Sequence, residues 1–291
     1  MRSALPLAVV AVALLGAAGC GGGTGDGSAD GKVAVVASTN VWASVVTAVG
    51  GADVSVRSLI DNPSADPHSY ADKPEDATLL TDADLVVYNG GGYDDFFAKL
   101  ADAAGTDAKR VVAFDVSGHP DGANEHVWYD LATVKKVADE VAAGLGVVDP
   151  DHRSAYTANA AAFGTRLDEL TTKAAAIPDG EVVATEPVAK YLLDTAGMTD
   201  VTPPDFSKAI EEETDPPVAA VAATMDLVSG RQVVALVNNE QTETNVTDQL
   251  NDAARGAGVP IVNVSETLPP GVTDYVGWMT KQVAALAGAV T

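Results

Sequence analysis

Hydrophobic positions in the first half of the chain alternate between short continuous runs and longer helical spacings. "KVAVVAS" (32–38) is a short apolar run typical of a buried strand, and "VWASVVTAVGG" (41–51) has helical spacing that ends at a glycine pair. The same alternation predicts further strands at 53–60, 84–91 and 110–117 and helices at 73–83, 93–105 and 131–146. Strands that alternate with helices form parallel sheets, so this half predicts an α/β lobe.

The alternation stops between Asp151 and Ala176, a strand-free stretch that predicts one helix of about seven turns. It then resumes, with strands predicted at 181–186, 232–239 and 260–266 and helices at 187–196, 214–229, 244–257 and 273–289. The predicted fold class is therefore α/β: two parallel-sheet lobes joined by one long backbone helix, with a ligand cleft between the lobes. We assign 32–150 to the N-terminal lobe, 151–177 to the linking helix and 178–291 to the C-terminal lobe.

The N-terminus predicts export. Residues 1–20 begin with a positive charge, continue with a short apolar run and end in small residues before Cys20, as in a bacterial lipoprotein signal peptide. Lipidation of Cys20 would anchor an extracytoplasmic protein to the membrane, and the glycine-rich residues 21–31 would form a flexible tether. A plain signal peptide with a chance cysteine is the alternative. Cys20 is the only cysteine, which excludes an internal disulfide.

The charge of the chain narrows the class of partner. The formal net charge is −24 at pH 7. Binding to nucleic-acid phosphates requires a basic surface, so a nucleic-acid partner is excluded. A modest attraction for cations follows, although an acidic surface also keeps an exported protein in solution.

Four polar residues stand just beyond predicted strands or in the loops that follow them. His68 and His126 fall in the first lobe, and Glu186 and Glu266 directly follow "VVAT" and "VNVS" in the second. Ligands of open parallel sheets bind beyond the carboxyl ends of the strands, so these side chains are candidates for one site. Two neutral imidazoles and two carboxylates would balance a divalent cation, and mixed N/O ligation suits manganese, iron or zinc. Solvated histidines and helix-capping glutamates are the alternative interpretation.

The motifs around these residues resemble the metal-binding lipoproteins that supply zinc- and manganese-type ABC importers. "DPHSYADKPEDATLLTDADLVVYNGG", which contains His68, is similar to the first-ligand region of that family, and "EHVWYD" is similar to its second-ligand motif. "DPDHRSAYTANAAAF" resembles the start of its long helix, and "TEPVAKYL" and "VSETLPPGVTDYVGWM" resemble the segments with the last two ligands. The resemblance covers nearly the whole folded part of the chain.

The resemblance implies a role and a ligand set. His68, His126, Glu186 and Glu266 would bind Zn²⁺ or Mn²⁺ as the transported ligand, and a monomeric, non-enzymatic protein would deliver it to an ABC permease. The family usually has aspartate at the fourth position, so the longer side chain of Glu266 must be accommodated. Asp274 is the alternative fourth ligand.

The remaining histidines and two tryptophans are expected to have structural roles rather than to bind metal. His119 lies in a short loop, where the family's zinc-type members often have a longer histidine-rich one, and we expect it to be solvated rather than to capture metal. His152 is expected to be an exposed residue at a helix end. Trp128 and Trp278 are expected to pack the walls of the cleft.

Three other functions stay open at this point. A metal-dependent hydrolase would need an open coordination position, and the sequence has neither H-E-x-x-H nor G-x-S-x-G. A binding lipoprotein for a small organic ligand would need an aromatic-lined cleft, and aromatic residues make up 5% of the chain. An adhesin or scaffold has no direct support in the sequence.

Overall fold

The structure is a computed structural model that describes Met1 and residues 31–62, 70 and 73–290. The N-terminal lobe contains four strands: β1 (Val33–Thr39), β2 (Val54–Ile60), β3 (Leu85–Tyr88) and β4 (Lys109–Val112). Its helices are α1 (Asn40–Gly50), α2 (Pro74–Thr81), α3 (Asp95–Ala104), α4 (Ala113–Ser117) and α5 (Leu131–Val148). The predicted signal peptide, Cys20, His68 and nearly all of the tether fall on residues outside the described ranges.

A long helix, α6 (Arg153–Ala174), leads into the C-terminal lobe. That lobe contains the strands β5 (Gly180–Ala184), β6 (Met198–Asp200), β7 (Ala235–Asn239) and β8 (Ile261–Val264). Its helices are α7 (Lys190–Thr195), α8 (Pro204–Glu211), α9 (Val218–Ser229), α10 (Asn245–Ala257) and α11 (Tyr275–Ala289). None of the helices that the structure describes is both long enough and apolar enough to span a bilayer.

The two sheets have the same topology. The strand order is β2-β1-β3-β4 in one and β6-β5-β7-β8 in the other, and every pair of neighbouring strands is parallel. The predicted fold class, two parallel-sheet α/β lobes joined by a long helix, is confirmed. All strands of a parallel sheet end at the same edge, so each lobe gathers the residues that follow its strands at one edge.

Two details differ from the prediction. The apolar run 110–117 was predicted as a strand throughout, but β4 ends at Val112 and α4 begins at Ala113. A buried apolar run does not by itself distinguish a strand from a helix turn, which explains the error. The segment 197–213 received no element, and it contains the three-residue strand β6 and helix α8, which has Pro204 at its first position.

The hydrophobic core passes between the lobes. One continuous cluster of buried residues includes Val35 of β1, Val137 of α5, Leu167 of α6, Val237 of β7 and Met279 of α11. Helix α6 packs against α1 and α5 on the N-terminal side and against α7 and α11 on the C-terminal side. The two smaller clusters each lie within one lobe. The lobes therefore share their largest core.

Polar contacts tie the lobes together through α1. The Asn40 side chain accepts from the Leu268 amide at 2.9 Å, and the Ser44 hydroxyl accepts from the Tyr275 amide at 2.9 Å. The same hydroxyl donates to the Thr273 carbonyl at 3.3 Å. These bonds fix the start of α1 against the segment that enters α11.

Candidate metal-binding cleft

The carboxylates of Glu186 and Glu266 converge on one amide. Glu186 lies two residues beyond β5 and Glu266 two residues beyond β8, and their exposed fractions are 4% and 2%. Strand β7 lies between β5 and β8 and ends at Asn239. The Asn239 Nδ2 donates to Glu186 Oε2 at 2.5 Å and to Glu266 Oε1 at 2.9 Å. The sheet order therefore brings the two glutamates together, as the sequence predicted.

Neighbouring side chains hold this arrangement in place. The backbone amide of Asn239 donates to Thr185 Oγ1 at 3.0 Å, which links the end of β7 to the residue before Glu186. The Oε1 of Gln241 accepts from the backbone amide of Glu266. Glu186 stands at the start of a short turn, but its side chain makes no capping bond there. The capping interpretation of Glu186 is therefore wrong, since the carboxylate faces Asn239.

His126 supplies a buried imidazole from the N-terminal lobe. Its exposed fraction is 1%, and its ring lies 5.0 Å from the Trp128 ring and 6.0 Å from the Tyr93 ring, centroid to centroid. The Asn124 Oδ1 accepts from the His126 backbone amide at 3.0 Å and lies 3.3 Å from His126 Nδ1. A proton on Nδ1 would be donated to this oxygen, and Nε2 would then be the ring nitrogen that carries the lone pair.

The loop that carries His126 is anchored by Asn89 and Asp94. The Asn89 Nδ2 donates to the Glu125 carbonyl at 2.8 Å. The buried Asp94 carboxylate accepts from the amides of Asn89 and Gly90, each at 2.7 Å. Burial raises the pKa of Asp94, and these backbone hydrogen bonds oppose the rise. The glycine turn after β3 thus becomes a fixed support for the loop.

The segment after His126 contacts the C-terminal lobe directly. The Tyr129 hydroxyl donates to the Ser265 carbonyl at 3.0 Å, and the Tyr275 hydroxyl donates to the Trp128 carbonyl at 2.6 Å. Burial raises the pKa of Tyr129, so its hydroxyl stays protonated. Since Tyr129 is three residues from His126 and Ser265 directly precedes Glu266, this bond sets the spacing between the two candidate ligands.

Two further carboxylates lie beside His126. One ligand-type atom from each of Glu125, His126 and Glu211 lies within 4.8 Å of the other two. Glu211 is the last residue of α8, so it reaches the site from the C-terminal lobe. Burial, together with repulsion from Glu125 and Glu186, raises the pKa of Glu211 to about 7. This edge of the cleft therefore brings Glu211 close to two other carboxylates, those of Glu125 and Glu186.

The other residues singled out in the sequence lie elsewhere. Asp274 caps α11 by accepting from the Gly277 amide at 3.1 Å, and its side chain is 57% exposed, so the structure gives it a capping role. His119 is half-buried: Nε2 lies 3.1 Å from Asp130 Oδ2 and its ring stacks on Tyr191 at 4.7 Å, so the expectation of a solvated residue is wrong. His152 is half exposed near a helix end, as expected, with Nδ1 2.7 Å from an Asp149 oxygen.

Both tryptophans lie where the sequence predicted, and four residues at the cleft were not predicted. Trp128 and Trp278 are both buried; Trp128 packs on His126, and Trp278 packs on Tyr129 at 5.5 Å. Sequence reasoning missed Asn239, Gln241, Glu125 and Glu211. Asn239 has the same signal as the glutamates, a polar residue at the end of a strand, whereas Glu211 is the last residue of a helix and has no such signal.

The fold and site define a class of protein: two parallel-sheet lobes, with ligand-type side chains from both lobes at one cleft, form a two-lobed substrate-binding protein. Residues 35–289 match the family described as "Zinc-uptake complex component A periplasmic", and the chain belongs to this family.

Curated relatives and solved structures agree with this assignment. The chain is 27% identical over 242 residues to the manganese-binding lipoprotein MntA of Halalkalibacterium halodurans, covering 75% of this chain and 80% of that protein. It is 25% identical over 282 residues to the metal ABC transporter substrate-binding lipoprotein SloC of Streptococcus mutans, covering 90% and 88%. The periplasmic zinc-binding protein TroA of Treponema pallidum has a similar fold, with a TM-score of 0.72, 20% identity, and coverage of 90% of this chain and 100% of that one.

Proposed function

We propose that this protein captures a divalent transition metal, Zn²⁺ or Mn²⁺, outside the cytoplasm and delivers it to an ABC permease. Family membership and the relatives described as metal-binding and manganese-binding lipoproteins support this function. The metal is the transported ligand. Its proposed ligands are His126, Glu186 and Glu266, with His68 as the fourth.

One observation carries the proposal: two buried carboxylates meet at Asn239 in a cleft that also contains a buried imidazole. The Asn239 hydrogen bonds orient Glu186 and Glu266 towards one point of the cleft. A divalent cation bound between two buried carboxylates would balance both of their charges. Imidazole nitrogen and carboxylate oxygen are ligands that both zinc and manganese accept in proteins.

The distribution of ligands suggests how binding is signalled to the permease. His126 belongs to the N-terminal lobe and the two glutamates to the C-terminal lobe. A cation that contacts both lobes stabilises the arrangement in which they are close, because only that arrangement offers all its ligands. Release would follow when the permease separates the two sets of ligands.

The remaining parts of the proposal come from the sequence. A lipid on Cys20 would hold the protein at the cell membrane as an extracytoplasmic monomer, with residues 21–31 as the tether. Stable anchoring requires more than one acyl chain, as bacterial lipoproteins carry. No catalytic role is proposed for the cleft.

Elemental analysis tests the function. A form lacking residues 1–25, purified without a metal-binding tag, is expected to carry about one equivalent of zinc or manganese, since the proposed ligands describe one site. The variants His126→Ala, Glu186→Gln and Glu266→Gln should lose it, and His68→Ala tests the fourth ligand. Glu181→Gln, an exposed change on β5, is the matched control.

The opposite result is equally clear. If the parent binds neither ion, and neither ion raises its melting temperature, the proposal is wrong. A binding protein for a small organic solute would then be the next hypothesis to test.

A further inference from the structure

The cleft contains a second convergence of ligand-type side chains that the sequence did not predict. Glu125 and His126 come from the loop before α5, and Glu211 comes from the end of α8 in the other lobe. One ligand-type atom of each lies within 4.8 Å of the other two. His126 is fully buried, while the two carboxylates are half-buried and so remain accessible to an ion.

These separations are close to those of a coordinated metal. Zinc-type ions lie about 2.0–2.2 Å from nitrogen and oxygen ligands, so two ligand atoms on one ion are at most about 4.4 Å apart. The observed limit of 4.8 Å exceeds this by a few tenths of an ångström. Shifts of that size in the two glutamate side chains would bring the three ligand atoms within reach of one ion.

Helix α8 places Glu211 at the cleft beside other carboxylates. Phe206 and Ile210 of α8 are buried in the core of the C-terminal lobe, which fixes the helix and directs its last residue to the cleft. The carbonyl end of a helix carries partial negative charge, which disfavours a carboxylate there. Glu125 and Glu186 repel Glu211 further. A metal ion would relieve all of these repulsions together.

The chemistry of the added ligands indicates a preference among metals. Carboxylate oxygen suits manganese, whereas zinc is satisfied by four ligands with more nitrogen or sulfur. We propose that Glu125 and Glu211 bind the same ion as His126 and that Glu211 in particular favours Mn²⁺ over Zn²⁺. This inference rests on the proposed function and extends it to metal selectivity.

The test compares Glu211→Gln with Glu212→Gln, because Glu212 is the exposed neighbour and its replacement removes the same formal charge. Dissociation constants for Mn²⁺ and Zn²⁺ are measured by competition with a chelating dye. Glu211→Gln is expected to weaken Mn²⁺ binding about tenfold or more and Zn²⁺ binding less. Glu212→Gln should change neither by more than about twofold, as is usual for an exposed charge in salt.

A second pair of measurements separates ligation from the electric field of the carboxylate. Glu211→Asp keeps the charge but shortens the side chain, so a ligand would lose its contact and Mn²⁺ binding should weaken as in Glu211→Gln. The metal-free Glu211→Gln protein should melt at a higher temperature than the parent because the buried charge of the carboxylate and its repulsion from Glu125 and Glu186 are removed.

The outcomes distinguish this inference from the proposed function. A parent that binds Mn²⁺, together with a Glu211→Gln variant that matches Glu212→Gln, would overturn the inference and leave the function standing. Glu211→Asp binding Mn²⁺ as tightly as the parent would also overturn it. A parent that binds neither metal would overturn both proposals.

Discussion

The two lobes share one strand order but hold their candidate ligands in different ways. In the C-terminal lobe, Glu186 and Glu266 follow strands by two residues, and one amide, that of Asn239, orients both. In the N-terminal lobe, His126 lies in a loop that depends on Asn124, Trp128 and other neighbours for its position. The sheet positions a ligand at a strand end, whereas the packing of neighbouring side chains positions a ligand in a loop.

Removal of Trp128 should have the largest effect on stability and on the position of His126. Trp128→Ala removes a fully buried ring that packs on His126 and is expected to lower the free energy of unfolding by about 3–5 kcal/mol. Metal affinity should fall with it because the imidazole loses its support. Urea unfolding and metal titration measure the two effects.

Leu145→Ala is the control for that variant. Leu145 is buried in α5 about 20 Å along the helix from its start at Leu131, as the rise per residue gives. It should lower stability by about 2–5 kcal/mol and leave metal affinity unchanged. Equal losses of affinity in the two variants would contradict the support assigned to Trp128.

Asp94→Asn tests the turn beneath the same loop. The carboxylate accepts two backbone amides, and an asparagine side chain can accept only one and would direct its NH₂ at the other. Stability is expected to fall by about 1–3 kcal/mol, measured by urea unfolding. Asp95→Asn, one residue away and exposed, should cost less than about 1 kcal/mol. A loss no greater for Asp94 than for Asp95 would count against this role.

Residues positioned by a sheet were easier to predict from the sequence than residues positioned by packing. The alternation of apolar runs and helical spacings was sufficient to predict both lobes and every described strand except β6. The rule that ligands follow strands was sufficient to predict that Glu186 and Glu266 lie together. The rule also applies to Asn239, but recognising that residue requires the strand order, which places β7 between β5 and β8. Glu211 ends a helix that the pattern did not reveal, so tertiary packing alone brings it to the cleft.

Asn239→Ala tests how the C-terminal lobe orients its two candidate ligands. Without the shared amide the two carboxylates lose their common donor, and metal affinity is expected to fall about tenfold, which corresponds to about 1.4 kcal/mol. Isothermal titration with Mn²⁺ and Zn²⁺ measures the change. Asn263→Ala, an exposed asparagine of β8, is the matched control. Unchanged affinity in Asn239→Ala would show that the sheet alone orients the glutamates.

The smallest effect is expected at the turn before α6, away from both sets of ligands. Hydrogen bonding to Asp149, with further attraction from Asp149 and Asp53, raises the pKa of His152 above 6.5. A histidine whose pKa is raised on folding stabilises the folded state below about pH 6.5. This stabilisation is lost as the pH rises through the pKa of the histidine in the folded state. The melting-temperature difference between the parent and His152→Ala should therefore be positive near pH 5.5 and shrink towards zero at pH 8. A difference independent of pH would contradict the pairing.

The core that runs from one sheet through α6 into the other has a consequence for how the molecule melts. The largest cluster draws residues from both lobes, so neither half contains it complete. The protein should unfold in one cooperative transition, and a fragment ending before α6 should not fold. Any cation held at the cleft would then protect the whole chain from proteolysis and exchange, far beyond the residues that touch it.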